Sequence, residues 1–300
     1  MASVIKGYLR LTRPANLPTA AADVLAGIAI SGFFATYSHQ YEWDFNSITG
    51  AILLIGSTIF LYAAGVMLND VFDYRLDKEE RPERPIPLGL VPLRSAALLG
   101  GLLMVVGLVL AFLAGPLSGY IAVVLGIAIL LYDTVGKHHS LFGPLNMGLC
   151  RGLNLLLGIS ILGNLGHWGI ALIPIIYIAA ITMISRGEVH GDNKVHIVWA
   201  AVLYALVILG ILLIPVYTGH KVWVSLPFVS LFAVMVLRPL SRAYRENSPH
   251  NIKMAVKAGV ISIIVLDAAL AVGFSYWWVG VAILLLLPLS IFLSRLFAVT

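Results

Sequence analysis

Residues 47–77 read SITGAILLIGSTIFLYAAGVMLNDVFDYRLD, an apolar run that ends abruptly among three aspartates. Its first part, 47–68, is long and apolar enough for a helix that crosses a bilayer, which needs about 20 such residues. Its second part places Asp70, Asp73 and Asp77 at i, i+3 and i+7. One further helical turn would therefore present all three carboxylates on one face. The stretch predicts a membrane helix with an acidic end.

The composition of the whole chain agrees with this interpretation. Of its 300 residues, 60% are hydrophobic and only 11% are charged, whereas a soluble protein has roughly a quarter charged residues. This composition excludes a disordered chain, a secreted disulfide scaffold and an ordinary soluble enzyme. The single cysteine, Cys150, can form no disulfide within the chain and fits no zinc-binding spacing.

Apolar stretches of membrane-spanning length recur along the chain, punctuated by glycine and proline as membrane helices tolerate. No polar linker is long enough to separate two domains, so we predict a single all-α polytopic membrane domain over residues 1–300. The candidate spans are 16–36, 47–68, 95–115, 117–133, 143–163, 168–185, 195–216, 222–240, 254–274 and 277–297.

The basic residues predict the orientation of these spans. If the N-terminus is cytoplasmic, seventeen of the nineteen Lys and Arg residues fall on the cytoplasmic side, as the positive-inside rule requires. Only Lys221 falls outside, and Arg151 lies within a span. Arg295 favours ten spans, and nine remain as the alternative. We expect a multi-pass protein of a bacterial inner membrane, with its N-terminus and its two acidic loops in the cytoplasm.

The acidic residues are concentrated in two of the predicted cytoplasmic loops. Carboxylates on one helix face repel each other. A hard cation such as Mg²⁺ removes that repulsion and also bridges to substrate phosphates. The alternative is a solvated helix end neutralised by Lys78, Arg81 and Arg84. The eight acidic residues of these loops, among fourteen in the chain, are Asp70, Asp73, Asp77, Glu79, Glu80, Glu83, Glu188 and Asp192.

Several of these stretches resemble a known family. Residues 69–77, NDVFDYRLD, resemble the NDxxDxxxD motif of the UbiA family of intramembrane prenyltransferases. Residues 81–89, RPERPIPLG, resemble the RPxRPIPxG continuation of that motif. The resemblance covers roughly residues 10–195. Its other parts are TRPANLP at 12–18, which resembles the family's first-helix signature, and residues 132–137, Asn146 and 151–154, which resemble the region between its acidic motifs.

The resemblance implies a ring of nine transmembrane helices around a cavity open towards the membrane, ten if the last span is counted. It implies prenyl transfer from an allylic diphosphate to an acceptor that the sequence does not identify. Mg²⁺ is the expected cofactor, because metal ions stabilise the departing diphosphate. Prenyl diphosphate, the acceptor and membrane lipids are the expected partners, and nucleic acid is not.

The same resemblance suggests roles for individual residues. Asp70, Asp73 and Asp77 are assigned to one Mg²⁺, with Asn69 as a neutral supporting ligand. Glu188 and Asp192 are assigned to the other ion. Lys137 and Arg84 are candidate clamps for the diphosphate, since cations held close to anionic oxygens strengthen their binding.

Four further residues are candidates for contacts with the substrates. Tyr132 can stabilise a cation through its ring, or it packs as an ordinary membrane aromatic. Asn16 and Asn146 are candidate acceptor contacts, with helix-to-helix hydrogen bonding as the alternative for amides such as Asn16 and Asn154. Arg151 is a candidate for the acceptor pocket. The alternative is an ion pair inside the membrane with Asp23 or Asp133, and for Asp267 a structural role is expected.

The second acidic loop departs from the family pattern. The usual DxxxD appears here as EVHGD at 188–192, and the longer Glu188 side chain puts the second metal geometry in doubt. The loop resembles that of a divergent UbiA-like branch, the EboC proteins. A non-catalytic membrane scaffold and a transporter therefore remain alternatives to the enzyme. The acidic cluster lies at the membrane boundary and not at the midplane, which argues against a transporter.

Overall fold

The structure is a computed structural model that describes residues 2–34, 36, 45–136, 142–188 and 191–297. None of these residues forms a β-strand. The α-helices are α1 (Ala2–Leu11), α2 (Leu17–Ile30), α3 (Phe45–Phe72), α4 (Tyr74–Glu80), α5 (Leu93–Ala114), α6 (Pro116–Thr134), α7 (Phe142–Ile159), α8 (Leu172–Ser185), α9 (Lys194–Thr218), α10 (Val222–Arg245), α11 (Pro249–Phe274), α12 (Trp277–Leu284) and α13 (Leu286–Leu296).

Within these ranges, nine helical segments are long and apolar enough to cross a membrane. They coincide with the second to the tenth predicted spans, and the chain is a multi-pass membrane protein. The first predicted span contains α2, whose 14 residues extend over about 21 Å at the α-helical rise. That length is less than the hydrocarbon thickness of about 30 Å. The cytoplasmic position of the N-terminus remains a prediction.

The last span consists of two helices that meet at Leu285. Pro288 has no backbone N–H, and its ring crowds the carbonyl group four residues earlier, that of Leu284. The chain turns at this point, and the Leu285 N–H donates to the carbonyl of Val281 at 3.1 Å. The bend directs α13 towards the N-terminal segment, where the Ser290 hydroxyl donates to the Ala15 carbonyl at 2.7 Å.

The helices close into a ring. From α5 to α11, each long helix packs on the next, and α3 packs on α5. Helix α11 then packs on α2, and α2 packs on α3. Helix α2 also contacts α7 across the ring, so that one apolar cluster lies on each side of this contact. This arrangement confirms the predicted all-α ring.

Two glycines allow the contact between α2 and α7. A Cβ atom on Gly27 would lie inside the backbone of α7 at Leu155, and one on Gly158 would lie inside the backbone of α2 at Val24. Small residues are the usual means by which membrane helices approach closely. This contact brings the polar residues of α2 and α7 together inside the ring.

The outer surface of the ring is apolar. Four exposed side chains of α5 are Leu98, Leu102, Val105 and Val109, which are spaced at four, three and four residues and so follow one face of the helix. In a soluble protein such a continuous apolar surface marks an interaction site. On a membrane-spanning helix it is the surface that contacts lipid.

Candidate functional site

The acidic motif continues the helical path of α3 for one more turn, as predicted. The Asp73 N–H donates to the Asn69 carbonyl at 2.9 Å, and the Asp77 N–H donates to the Asp73 carbonyl at 2.8 Å. Residues seven apart on a helix differ by only about 20° in direction, so Asp70 and Asp77 share a face. Both are buried, whereas Asp73 is partly exposed.

Two arginines neutralise the buried carboxylates. Arg84 Nη1 lies 3.1 Å from Asp70 Oδ1 and 2.6 Å from Asp77 Oδ2. Arg13 Nη2 lies 2.9 Å from the same Asp70 oxygen. Arg13 adopts φ 45°, a left-handed conformation that is uncommon for any residue except glycine. The backbone is therefore strained at Arg13, the residue of the TRPANLP stretch that forms the ion pair with the acidic motif.

The proline-rich stretch after α4 positions Arg84. It folds back as a series of turns, in which the Leu88 N–H donates to the Arg84 carbonyl at 2.9 Å and the Val91 N–H donates to the Pro85 carbonyl at 3.2 Å. Ile86 and Val91 are buried in an apolar cluster beneath the motif. The apolar residues of this stretch thus hold the guanidinium over the two carboxylates.

The donor chemistry of the motif suits Mg²⁺, because that ion prefers carboxylate oxygens. Asp70 and Asp77 already converge on one cation, the Arg84 guanidinium. In the part of the chain that the structure describes, no three Asp, Glu, His or Cys side chains are grouped as a metal site. The assignment of Asp73 as a third ligand therefore stays a prediction, and Asp70 and Asp77 fit a cation site by their chemistry.

A cavity of about 400 Å³ lies inside the ring, next to the motif. This volume is within the usual range for small-molecule sites. Arg13 lines the cavity and also binds Asp70, so it connects the cavity to the acidic motif. The apolar wall comes from α3, α6, α8 and α11 and contains Leu61, Leu125, Ile129, Ile178, Val260 and Ile263.

The lining of the cavity also contains polar residues, among them three of the predicted site residues, Asn16, Asn69 and Tyr132. The Asn69 side chain donates to Asp133 Oδ1 at 3.0 Å, and Asp133 is only 3% exposed. The amide predicted to support a metal ion is therefore engaged with a carboxylate on α6. Asp133 was predicted only as a partner of Arg151, because nothing in the sequence indicates that α3 and α6 meet at this depth.

Arg151 also lines the cavity, and hydrogen bonds to residues of α2 hold its guanidinium in place. Its Nη1 donates to Asp23 Oδ2 at 2.7 Å, and its Nη2 donates to the Thr19 hydroxyl at 2.7 Å. The guanidinium also lies 5.7 Å from the centre of the Tyr62 ring. The ion pair inside the membrane, one of the two predicted alternatives, is confirmed with Asp23 as the partner.

Asn154, one turn from Arg151, extends this network. Its amide donates to Asp23 Oδ2 at 2.9 Å and to the Ala20 carbonyl at 3.0 Å. It accepts a hydrogen bond from the Thr58 hydroxyl at 2.6 Å. Thr58 and Tyr62, which sequence reasoning missed, lie one turn apart on α3. The one feature of the sequence that could have indicated them is their spacing, since a polar and an aromatic residue four positions apart share one face of an otherwise apolar helix.

Of two other predicted residues, one contacts a different helix and the other is outside the part of the chain that the structure describes. The Asn146 amide donates to the Ala128 carbonyl at 3.1 Å, which joins α7 to α6, and Asn146 is not among the residues that line the cavity. Lys137, predicted as a diphosphate clamp, is outside the described residues. Their proposed substrate contacts stay predictions.

The second acidic loop is held in place by Asn193. Its side-chain amide donates to the carbonyls of Met183 and Ile184, and its N–H donates to the Asn247 side chain at 2.8 Å. Asp192 is exposed, with φ 50°. Among the described contacts, no ion pair joins Glu188 or Asp192 to the first motif.

Glu188 is half-buried in this loop. Burial raises the pKa of its carboxyl, and the nearby ammonium group of Lys253 opposes that rise. A raised pKa means that the ionised form of Glu188 is poorly stabilised by the protein itself. A cation bound beside it would supply the missing stabilisation.

The chain has relatives among characterised families. Residues 25–256 match the family described as the UbiA prenyltransferase family. The digeranylgeranylglyceryl phosphate synthase of Methanococcoides burtonii is 33% identical over 162 residues, which are 54% of this chain and 57% of that protein. The synthase of Metallosphaera sedula is 27% identical over 276 residues, 85% of this chain and 93% of that protein. The alignment thus spans little more than half of the first relative and most of the second.

Solved structures have the same fold. One described as a digeranylgeranylglyceryl phosphate synthase in membranes superposes with a TM-score of 0.68 at 23% identity, over 91% of this chain and 99% of the other. A UbiA homolog from Archaeoglobus fulgidus bound to GPP and Mg²⁺ superposes with a TM-score of 0.58 at 16% identity, over 97% and 99% of the two chains. These relatives are archaeal, whereas the prediction of a bacterial inner membrane stays untested.

Proposed function

The chain belongs to the UbiA prenyltransferase family, and on this premise we propose that it transfers a prenyl group from an allylic prenyl diphosphate to an acceptor at the cytoplasmic boundary of the membrane. In this reaction the bond between the allylic carbon and the diphosphate oxygen breaks, and a bond forms between that carbon and the acceptor. The acceptor loses a proton, and diphosphate is released.

The observation that carries this proposal is the position of the cavity next to the acidic motif. Arg13 lies on the cavity wall and is ion-paired with Asp70. A substrate with an apolar tail in the cavity would therefore have its anionic head at a group of cations and carboxylates. A prenyl diphosphate has this combination of an apolar tail and a compact anionic head.

The residues of the chain would bind and orient the substrate. Arg13, Arg84 and Lys137 are the proposed contacts of the diphosphate, because charge-assisted hydrogen bonds to phosphate oxygens are the strongest available. Tyr132 and Tyr62 both line the cavity, where the face of an aromatic ring can stabilise a carbocation. The apolar wall keeps water away from that cation.

Asp70, Asp73 and Asp77 are the proposed ligands of one Mg²⁺, and Glu188 and Asp192 of a second. When bound, Mg²⁺ offsets the negative charge that develops on the departing diphosphate. The Archaeoglobus fulgidus homolog described as bound to GPP and Mg²⁺ supports this choice of cofactor and substrate. The arginines would then exchange carboxylate partners for diphosphate oxygens.

The acceptor is proposed only as a class. Asn16, Arg151 and Asn154 provide polar groups on the cavity wall, which suits an acceptor with a polar head. The name of the relatives, digeranylgeranylglyceryl phosphate synthase, makes a glyceryl phosphate lipid with one geranylgeranyl chain the first compound to test.

The test is transfer of label from geranylgeranyl diphosphate into an extractable lipid by the purified protein in vesicles. The acceptor is supplied either as geranylgeranylglyceryl phosphate or as a total lipid extract, with Mg²⁺ or with EDTA. We expect a labelled product in Mg²⁺ only, and none from Asp73→Ala. Glu80→Gln, at the exposed end of α4 in the same acidic segment, is the control and should keep the activity. Product formation by Asp73→Ala at the wild-type rate would contradict the metal role.

The same variant separates the enzyme from a membrane scaffold. A scaffold requires the fold and not the chemistry, so Asp73→Ala would leave a cellular phenotype unchanged. A transporter would move a solute across vesicles without releasing diphosphate. In both cases the labelled product would be absent from the wild type as well.

A further inference from the structure

Helix α11 is the most buried of the membrane-spanning helices in the described structure. Every residue from Ser262 to Phe274 is buried. All but a few of these side chains are apolar, as expected for a helix surrounded by others. Asp267 lies in the middle of this segment and is 1% exposed. An ionisable side chain at this depth is costly unless a partner offsets its charge.

The charged neighbours of Asp267 are Asp23 on α2 and Arg151 on α7, and its carboxyl is within hydrogen-bonding reach of that of Asp23. Asp23 is also 1% exposed. Three charged side chains thus meet where α2, α7 and α11 come together. If both aspartates are ionised, the cluster has two negative charges and one positive charge, and an uncompensated charge remains inside the membrane.

The hydrogen bonds of the cluster are unevenly distributed. Asp23 Oδ2 accepts from Arg151 at 2.7 Å and from Asn154 at 2.9 Å. Asp23 Oδ1 and both oxygens of Asp267 are buried without a hydrogen-bond partner. Two ionised carboxylates have no hydrogen to donate to each other, whereas one proton between them would pair Asp23 Oδ1 with one of the Asp267 oxygens. Buried polar atoms in a native protein are almost always hydrogen-bonded.

We propose that Asp23 and Asp267 form a buried proton-binding site, in which one proton on Asp267 is donated to Asp23 Oδ1. The proton makes the three-residue cluster neutral and provides the missing hydrogen bond. Asp267 carries it, because Asp23 already receives two donors that stabilise its anionic form. Asp23 of this site is the ion-pair partner of Arg151, which lines the cavity. The proton therefore leaves Asp23 ionised and Arg151 paired, whether or not a substrate is bound.

Other titratable groups near the cluster do not supply the missing charge. Tyr177 of α8 is within electrostatic reach of Asp267, but its hydroxyl donates to the Gly259 carbonyl at 2.7 Å. The ring of Tyr204 on α9 packs against that of Tyr177, and Tyr62 of α3 faces Arg151. The buried residues that α10, α12 and α13 contribute are apolar residues, serine or glycine. No second buried cation is present among the described residues of these helices.

Infrared spectroscopy of the purified protein at neutral pH tests the proposal, because protonated carboxyls and carboxylates absorb at separate carbonyl frequencies. We expect a protonated-carboxyl band in the wild type that is lost in Asp267→Asn. We expect it to be lost in Asp23→Asn as well, because the remaining carboxylate and Arg151 balance each other without a proton. The exposed Glu246 provides the control, Glu246→Gln, which should leave the band unchanged.

Two results would overturn the proposal. A band that persists in Asp23→Asn would mean that Asp267 is protonated by burial alone. Absence of the band from the wild type, with stability that depends on Na⁺ or K⁺, would mean that a metal cation occupies the site.

A second measurement applies if Asp23→Asn does not fold. The folded protein would hold one proton more than the unfolded chain near neutral pH, so its folding equilibrium should weaken about tenfold for each unit of rising pH. Asp267→Asn should remove this dependence and remain stable at neutral pH. An identical pH dependence in the wild type and in Asp267→Asn would refute the shared proton.

Discussion

Arg13 donates to Asp70 at 2.9 Å, and this contact joins the turn before α2 to the end of α3. Arg13 also lies on the wall of the cavity, so its guanidinium is available to an anionic head group. We expect Arg13→Gln to raise the KM for prenyl diphosphate by about tenfold or more, since hydrogen bonds to charged groups contribute about 1.5–3 kcal/mol.

Steady-state kinetics with varied prenyl diphosphate measure this effect. Arg10→Gln is the matched control, because Arg10 is an exposed residue of α1 close in sequence. An unchanged KM in Arg13→Gln would show that the contact with Asp70 is purely structural.

Arg84 holds two carboxylates together, at 3.1 Å from Asp70 and 2.6 Å from Asp77. Arg84→Gln should leave Asp70 and Asp77 to repel each other, and this variant should therefore melt at a lower temperature than the wild type in EDTA. Mg²⁺ should restore its stability and raise its melting temperature more than that of the wild type. Thermal unfolding with and without Mg²⁺ measures both effects.

The exposed Arg81 provides the comparison for this experiment, as Arg81→Gln should behave like the wild type. If Mg²⁺ gives Arg84→Gln no additional stability, Asp70 and Asp77 are not a cation site.

The spans were predictable from sequence, because a membrane helix follows from the length and composition of a local stretch. The spacing of the aspartates correctly predicted that helical structure continues beyond the apolar span, to Phe72 in α3 and from Tyr74 to Glu80 in α4. The pairing of Asp70 with Arg13 was not predictable, since it joins residues 57 positions apart whose meeting depends on how the ring closes. The hydrogen bond from the Asn69 amide to Asp133 was not predictable either, because it also depends on how the helices pack. Asn69 was therefore assigned to a metal ion from the sequence.

Gly158 is required by the close approach of α2 and α7. Gly158→Ala should destabilise the protein by about 1–3 kcal/mol, the usual cost of overpacking, because the added methyl group would overlap the α2 backbone. Gly101→Ala on α5 is the control, since a Cβ there has open space around it. Unfolding in a denaturant series would measure the difference, and equal stability of the two variants would contradict the described crossing.

Glu188 stands in the second acidic loop where the family's DxxxD pattern has aspartate, and its role can be tested by substitution. If its carboxylate binds Mg²⁺, Glu188→Gln should raise the Mg²⁺ concentration needed for half-maximal activity by about tenfold, because an ionised ligand is replaced by a neutral one. Glu188→Asp should keep part of the affinity. Activity measured over a Mg²⁺ titration would distinguish them, and a titration curve identical to that of the wild type for Glu188→Gln would exclude Glu188 as a ligand.

The central claim is that the acidic motif and the cavity together bind a prenyl diphosphate through Mg²⁺. Calorimetric binding of a non-reactive thio analogue of geranyl diphosphate to the purified protein tests it without any acceptor. The account predicts binding in Mg²⁺, no binding in EDTA, binding at least tenfold weaker in Asp70→Asn, and unchanged binding in Glu80→Gln. Equal affinity in EDTA, or in a folded Asp70→Asn variant, would contradict it.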